Sequence, residues 1–328
     1  MYNNSIQFKK IILIILFNII VISILWFISD FCLYVTSLKI HNKLSIKNLK
    51  NFYSKPYNPI NSIDYFFDLK NNTDDENQFK TRLPVGLMYK SSPILVFGCS
   101  FAYGTYLNYN QIFSYKLANQ INKPVFNRAI PGRGIQQMYY QTTTDEFYKS
   151  VPPCNTIIYI LISDHFRRMS GESFLISDRV IYLHYKYKNK SFIIDNFNNP
   201  FVIFYKYNYT LESIRKIYNY FYLKNNKNAD KITDEALAYF IQTRENLQNH
   251  WHNKINFVVY FYKSYIFEDI LIHKLRNNNF IVITKNDLTN ENMLSKKYQL
   301  SDNIHPNEAA WDLLTPLFVD KMKEMNIF

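Results

Sequence analysis

The chain has 328 residues, enough for one large domain or two small ones, and it is 48% hydrophobic and 18% aromatic, ample for a sizeable core. Its formal net charge is +12, but the lysines are spread along the whole chain and no arginine-rich stripe or nucleic-acid motif stands out, so no nucleic-acid partner is expected. The three cysteines form no C-x-x-C pair, which argues against a zinc ribbon or a thioredoxin-like redox site.

Residues Ile11–Ile28 are almost unbroken Ile, Leu, Phe and Val, with Asn18 and Ser23 the only polar side chains. About 18 apolar residues suffice to span a bilayer as a helix. No Ala-x-Ala cleavage site follows, so the run reads as an uncleaved anchor, and 1–36 is expected to be a membrane segment. A cleaved signal or a buried core helix are the alternatives. Lys9 and Lys10 before the run, and Lys39, Lys43, Lys47 and Lys50 after it, oppose one another, so the positive-inside rule does not orient it. From 37 to 89 the chain is polar and Lys/Asn-rich, as in a stalk leading to the domain over 90–328.

Strand and helix signals then alternate. Ile94–Phe97 is a buried strand, and Asn108–Gln120 a helix. Pro124–Asn127 is a short strand, Ile135–Tyr148 is helix-like, and the β-branched run Thr156–Ile162 is a buried strand. Between about 180 and 235 lies an irregular insertion with a hairpin and a helix. Asp234–Trp251 is a helix, Ile255–Phe261 a strand, Phe267–Arg276 a helix, Phe280–Thr284 a strand and Asn307–Met325 a closing amphipathic helix. This alternation predicts a parallel sheet with helices on both faces. In such a sheet Cys99 and Cys154 fall at opposite strand ends, roughly 15–20 Å apart. A bridge needs Cα atoms within about 7 Å, so free thiols are expected.

Four of the six glycines, Gly98, Gly104, Gly132 and Gly134, follow the first two strands. Glycine is required where backbone takes positive φ or comes close to a ligand, so these strand ends are candidate site loops. Ser100 sits in Gly98-Cys99-Ser100-Phe101, at the carboxyl edge where α/β sheets place ligands. Alone, the stretch reads first as a βα turn with a serine capping the next helix, since short strand-turn-serine patterns are common. A nucleophilic serine needs a base, and the base an orienting partner. Of seven histidines, His41 lies near the apolar segment. His250 and His252 are two apart on a helix and face different ways, and His184 and His273 lack acidic or cysteine neighbours at ligand spacing. His305 differs. It lies in Ser301-Asp302-Asn303-Ile304-His305-Pro306, with Pro306 suited to a first helical position, His305 at the cap, and Asp302 able to fold back towards the imidazole.

Gly98-Cys99-Ser100 resembles the Gly-Asp-Ser block of the SGNH (GDSL-like) hydrolases, and Asp302-x-x-His305-Pro306 resembles their C-terminal block. Asn127-Arg128-Ala129-Ile130-Pro131-Gly132-Arg133-Gly134 is similar to the second block. The resemblance implies a three-layer α/β/α sandwich around a five-stranded parallel sheet in flavodoxin-like order. It also implies Ser100 as nucleophile, His305 as base, Asp302 as its partner, and Gly132, or next Gly134, as a backbone oxyanion donor. The third block departs from the family: the usual Gly-x-Asn-Asp is replaced by Leu161-Ile162-Ser163-Asp164-His165. The oxyanion asparagine is missing. Ser163 has a hydroxyl to donate, whereas an ionised Asp164 can bind a substrate hydroxyl or pair with Arg167 or Arg168; His165 is within reach of the same corner. Cys99 stands where the family has aspartate, a position that points into the protein.

The expected activity is hydrolysis of an acyl ester through an acyl-serine, with no metal and no organic cofactor. The anchor points to an ester-bearing envelope glycan or lipid as substrate and to a domain outside the cytoplasm. O-acetyl transfer on the same triad, or an inert membrane-tethered carbohydrate-binding module on the same fold, remain the alternatives.

Overall fold

The apolar run near the N-terminus is helical over 17–32 (α1) and exposes Phe17, Ile19, Ile20, Ile22, Ile24 and Leu25. The computed structural model describes residues 17–32, 35, 92–169, 185–188, 191–194, 229–262 and 267–328. Among these, no helix is long and apolar enough to cross a membrane; residues 11–16 of the expected span, and the stalk, lie outside them. The chain divides into two units. One comprises Met1–Phe67, Ser173–Ile181 and Asn196–Tyr222, of which α1 is the main described part. The other comprises Asp68–Glu172, Tyr182–Asp195 and Leu223–Phe328 and holds every candidate site residue.

In that second unit, β1 (Ile94–Phe97) is followed by α2 (Ser100–Tyr103), α3 (Phe113–Ile121) and β2 (Val125–Asn127). Next come α4 (Ile135–Gln141), α5 (Asp145–Ser150), β3 (Thr156–Leu161), α6 (Asp164–Met169) and the hairpin β4 (Tyr185–Lys188) and β5 (Ser191–Ile194). The chain ends with α7 (Ala229–Trp251), β6 (Asn256–Phe261), α8 (Glu268–Asn277), β7 (Ile281–Thr284), α9 (Lys285–Leu288) and α10 (Glu308–Glu324). The main sheet has five parallel strands in the order β2-β1-β3-β6-β7. With the hairpin set aside this is the flavodoxin-like order 2-1-3-4-5, as expected.

Strand residues that alternate in sequence go to opposite faces, and both faces are buried. Ile94, Val96, Ile158, Ile160, Val258 and Tyr260 belong to the core shared with α3 and α10, where Phe318 packs edge-on to Tyr260 at 5.4 Å. Tyr159 and Phe257 take the other side, each edge-on to Phe240 of α7, at 5.2 and 5.9 Å. The layers are α3 with α10, and α4, α6 and α8 around α7.

Three boundaries differ from the sequence reading by more than two residues. The helix expected over Asn108–Gln120 is a 3-10 turn, Tyr109–Gln111, then α3, because Ile112 is extended at φ −83, ψ 155. The segment Ile135–Tyr148 is two helices. Between them the hydroxyls of Thr142, Thr143 and Thr144 each donate to the carbonyl three residues back, competing with the helical ladder. Helix α7 begins at Ala229, five residues before its expected start, where Thr233 Oγ1 donates to the Ala229 carbonyl at 2.8 Å. The insertion's hairpin is present; its expected helix lies outside the described residues.

Candidate active site

Gly98 makes the corner after β1. Its φ is +148, and a Cβ there would lie 2.7 Å from Ala102 Cβ and 3.0 Å from the Ile160 carbonyl oxygen. A side-chain-free residue thus lets the strand turn straight into α2, whose first residue is Ser100. Cys99 is fully buried among the core residues, as expected of a position that points inward, and both Cys99 and Cys154 are free thiols. Ser100 is 7% exposed, at the carboxyl end of β1 and beside the point where strand order reverses.

His305 arrives from the far end of the chain. The Leu300 N–H donates to the His305 carbonyl and the Asn303 N–H to the Leu300 carbonyl, each at 2.9 Å, closing a tight turn. Within it, Asp302 Oδ1 accepts the N–H groups of Ile304 at 2.9 Å and His305 at 3.0 Å, and Oδ2 accepts the proton on His305 Nδ1. Burial by itself would raise the Asp302 carboxyl; the bonds from the His305 ring and from the two backbone N–H groups outweigh it and hold the carboxyl below its ordinary value. A carboxylate only accepts, so the imidazole proton sits on Nδ1 and Nε2 is left with a lone pair. Nε2 accepts the Ser100 hydroxyl at 2.8 Å. The ring is flanked by Phe101 and Tyr106, at centroid distances of 5.3 and 5.8 Å.

The helix start after this loop corrects the sequence reading. Asn307 is the N-cap of α10, its side-chain oxygen accepting the Ala310 N–H at 3.1 Å. Pro306 is outside the helix, bridged to Gln299. An amide oxygen satisfies a free helical N–H directly, which proline's favourable φ does not.

The second loop lies against the first. The Ile130 N–H donates to the Gly98 carbonyl at 3.1 Å. Asn127 Nδ2 donates to the Ala102 carbonyl at 2.8 Å and to Ser114 Oγ at 3.0 Å, while its Oδ1 accepts the Ala129 N–H at 3.1 Å. Gly132 holds φ +73 in the turn and Gly134 is the N-cap of α4. Among the described residues, no acceptor takes the backbone N–H of Ser100 or Gly132.

At the third corner the structure separates the candidates. The Ser163 side chain is half-buried, and no described group takes its hydroxyl. Asp164 pairs with Arg168, Oδ2 to Nη2 at 2.5 Å. His165 is turned into the core, fully buried, its Nδ1 3.0 Å from the Tyr159 hydroxyl, and is no part of the site. Burial, then the neighbouring Arg168 charge, push its imidazole well below the ordinary value, so it is neutral. Among the described residues no group of three or more His, Cys, Asp or Glu is placed to hold a metal ion.

Thus Ser100, His305 and Asp302 meet as the sequence reading placed them. Asn127 and Gln111 were given no role in it, and Arg168 was named only as one of two partners open to Asp164, the one the structure selects. Asn127 stood inside the quoted second block, and a polar residue ending a buried strand was the available signal. Gln111 carried none, nor did the reach of Arg168 to Arg133, because those partners are distant in sequence.

No family model matches the chain, and no curated protein matches its sequence. Its fold is similar to that of a member of the lipolytic protein G-D-S-L family from Veillonella parvula: 11% identity over 71% of this chain and 99% of that one, TM-score 0.43. An acetyl xylan esterase from Butyrivibrio proteoclasticus gives 10% identity over 73% and 65%, TM-score 0.44. A family two carbohydrate esterase from Clostridium thermocellum gives 9% over 72% and 64%, TM-score 0.41. At these values the assignment of a chemistry rests on the site's own geometry.

Proposed function

We propose that this protein is a serine-dependent acyl-ester hydrolase. The observation that carries the proposal is the continuous relay from the Ser100 hydroxyl through His305 to Asp302. His305 Nε2 removes the Ser100 proton as Oγ attacks the ester carbonyl, and Asp302 holds the ring in the required tautomer and stabilises the imidazolium. The N–H groups of Ser100 and Gly132 receive the oxyanion. The imidazolium then returns its proton to the departing alkoxide, leaving an acyl-serine. Water, deprotonated by the same imidazole, releases the carboxylic acid and restores the serine. The scheme uses no metal or organic cofactor.

The substrate proposed is an ester on an envelope glycan or a lipid, presented to a domain tethered through Ile11–Ile28 and lying outside the cytoplasm. The exposed apolar side chains of the helix 17–32, among them Phe17, Ile19, Ile20, Ile22, Ile24 and Leu25, support the tether. A sugar hydroxyl in place of water would make the same site an O-acetyltransferase. Absence of the third-block amide favours the inert binding module as the competing reading.

A fluorophosphonate probe is expected to label the folded full chain, and Ser100→Ala to abolish labelling. An unlabelled, well-folded chain overturns the hydrolase and leaves the binding module. Acetate release from acetylated glycans, against transfer to an added glycan acceptor, separates esterase from transferase.

A further inference from the structure

We infer that Arg168 is a positioning residue for the oxyanion loop, and that the Asp164–Arg168 pair performs by clamping that loop the task a side-chain amide at this corner would perform by direct donation. The inference rests on the acyl-ester hydrolase reading.

An ionised carboxylate has no proton to give, so Asp164 cannot donate to an oxyanion. Its partner is Arg168, one helical turn on along α6, Oδ2 to Nη2 at 2.5 Å, with side chains 24% and 10% exposed. The other arm of the guanidinium reaches across to the second loop. Arg168 Nη1 donates to the Arg133 carbonyl at 3.0 Å, and Arg133 is the residue between Gly132 and Gly134. The contact is returned through the backbone: Gln136 Nε2 donates to the Arg168 carbonyl at 2.6 Å. A Cβ on Gly134 would lie 2.9 Å from Arg168 Cβ, so the loop is seated directly on this residue.

The consequence follows from peptide geometry. The carbonyl of Arg133 and the N–H of Gly134 belong to one planar unit, and in a trans unit they point in opposite directions. Binding the carbonyl therefore fixes that plane and aims the Gly134 N–H away from the guanidinium. Gly132, one residue further back, is held at φ +73 by the same turn. On its other side the loop is tied to the nucleophile's strand by the bond from the Ile130 N–H to the Gly98 carbonyl. A loop held at both edges presents its N–H groups without reorganising as charge develops, the condition for oxyanion stabilisation. Asp164 orients the planar guanidinium and neutralises it. A lysine, a point charge without the fork, cannot span both partners.

The test compares wild type, Arg168→Gln, Arg168→Lys and Asp164→Asn as full chains, with kcat and KM measured on a short acetate ester and folding checked by thermal melting. Loss of oxyanion stabilisation falls on kcat. Arg168→Gln is expected to lower kcat by about 10²-fold with KM changed less than about threefold. Arg168→Lys, keeping one contact, is expected to fall between Gln and wild type. Asp164→Asn keeps the shape of the side chain and so guards against misfolding; it is expected to lower kcat about tenfold. A higher kcat in Asp164→Asn means the amide donates directly and overturns the clamp. So does an unchanged kcat in folded Arg168→Gln, or a change confined to KM. These outcomes arise in a wild type that labels with fluorophosphonate and turns over; a wild type that does neither overturns the hydrolase reading and the clamp together.

Discussion

Gln111 Nε2 donates to Glu308 Oε2 at 2.7 Å across 197 residues of sequence. Gln111 closes the 3-10 turn between α2 and α3, where its side chain also accepts the Asn108 N–H. Glu308 is the first residue of α10, three beyond His305. Lys116 Nζ adds a second tie, at 3.5 Å from Glu308 and 2.5 Å from Asp312. The loop carrying His305 is thus fastened to the elements that follow Ser100. Gln111→Ala is expected to lower stability by about 1 kcal/mol in urea unfolding and to reduce kcat severalfold.

Removing any member of the relay is expected to stop turnover rather than binding. Ser100→Ala and His305→Ala are each expected to reduce kcat/KM by roughly 10⁴-fold or more, through kcat. The double variant is expected to be no worse than either alone, because the two side chains act as one unit. Asp302→Asn keeps the shape but loses the acceptor for the Nδ1 proton, and roughly 10⁴-fold in kcat is expected there too. Steady-state kinetics on a short acetate ester decide all four.

Two backbone positions with positive φ are expected to respond in opposite directions. Gly98→Ala places a Cβ 2.7 Å from Ala102 Cβ at φ +148, and a loss of more than about 2 kcal/mol is expected, with weaker probe labelling of Ser100. Tyr106 holds φ +68 although it is aromatic, and its side chain is 78% exposed. Tyr106→Gly removes the steric conflict and little buried surface, so about 1 kcal/mol of stabilisation is expected. Urea midpoints at constant m-value read both.

The stability of the fold is expected to fall on mild acidification because of His165. Folded, this imidazole is neutral, held well below the ordinary value of 6.5 by burial and by Arg168. Unfolded, it takes a proton near that ordinary value. Below about pH 6.5 the unfolded chain therefore binds more protons, and the free energy of unfolding drops as pH falls, with a limiting slope of about 1.4 kcal/mol per pH unit for one group. Above it neither state is protonated and the effect vanishes. His165→Gln, which keeps a group able to meet the Tyr159 hydroxyl, is expected to flatten the urea midpoint between pH 7 and 5.

How much of this was legible in the sequence differs between strands, loops and side-chain contacts. The strands were, since Ile94–Phe97 and Thr156–Leu161 are apolar on both faces and only a covered parallel sheet buries both. Helix boundaries were less so: Ile112 and the three threonines from 142 to 144 are ordinary residues in a window sum, and only their local bonding breaks the helix. The Asp302-x-x-His305 turn was readable because its bonds close within four residues.

The sequence by itself determined the parallel sheet and the Asp302-x-x-His305 turn, because these depend on periodicity and on contacts between near neighbours; the sheet order and the meeting of Ser100 with His305, 205 residues apart, were expectations from the resemblance. The tertiary structure alone decided where Asp164, Arg168 and His165 point and what fastens the His305 loop. It paired Asp164 with Arg168 rather than leaving it to the substrate, set Arg168 on the Arg133 carbonyl, buried His165 away from the site, and joined Gln111 to Glu308. Apart from the Asp164–Arg168 pair itself, these are matters of long-range packing. A single chain does not show which distant residue a side chain will reach, since that depends on how the helices settle on the sheet.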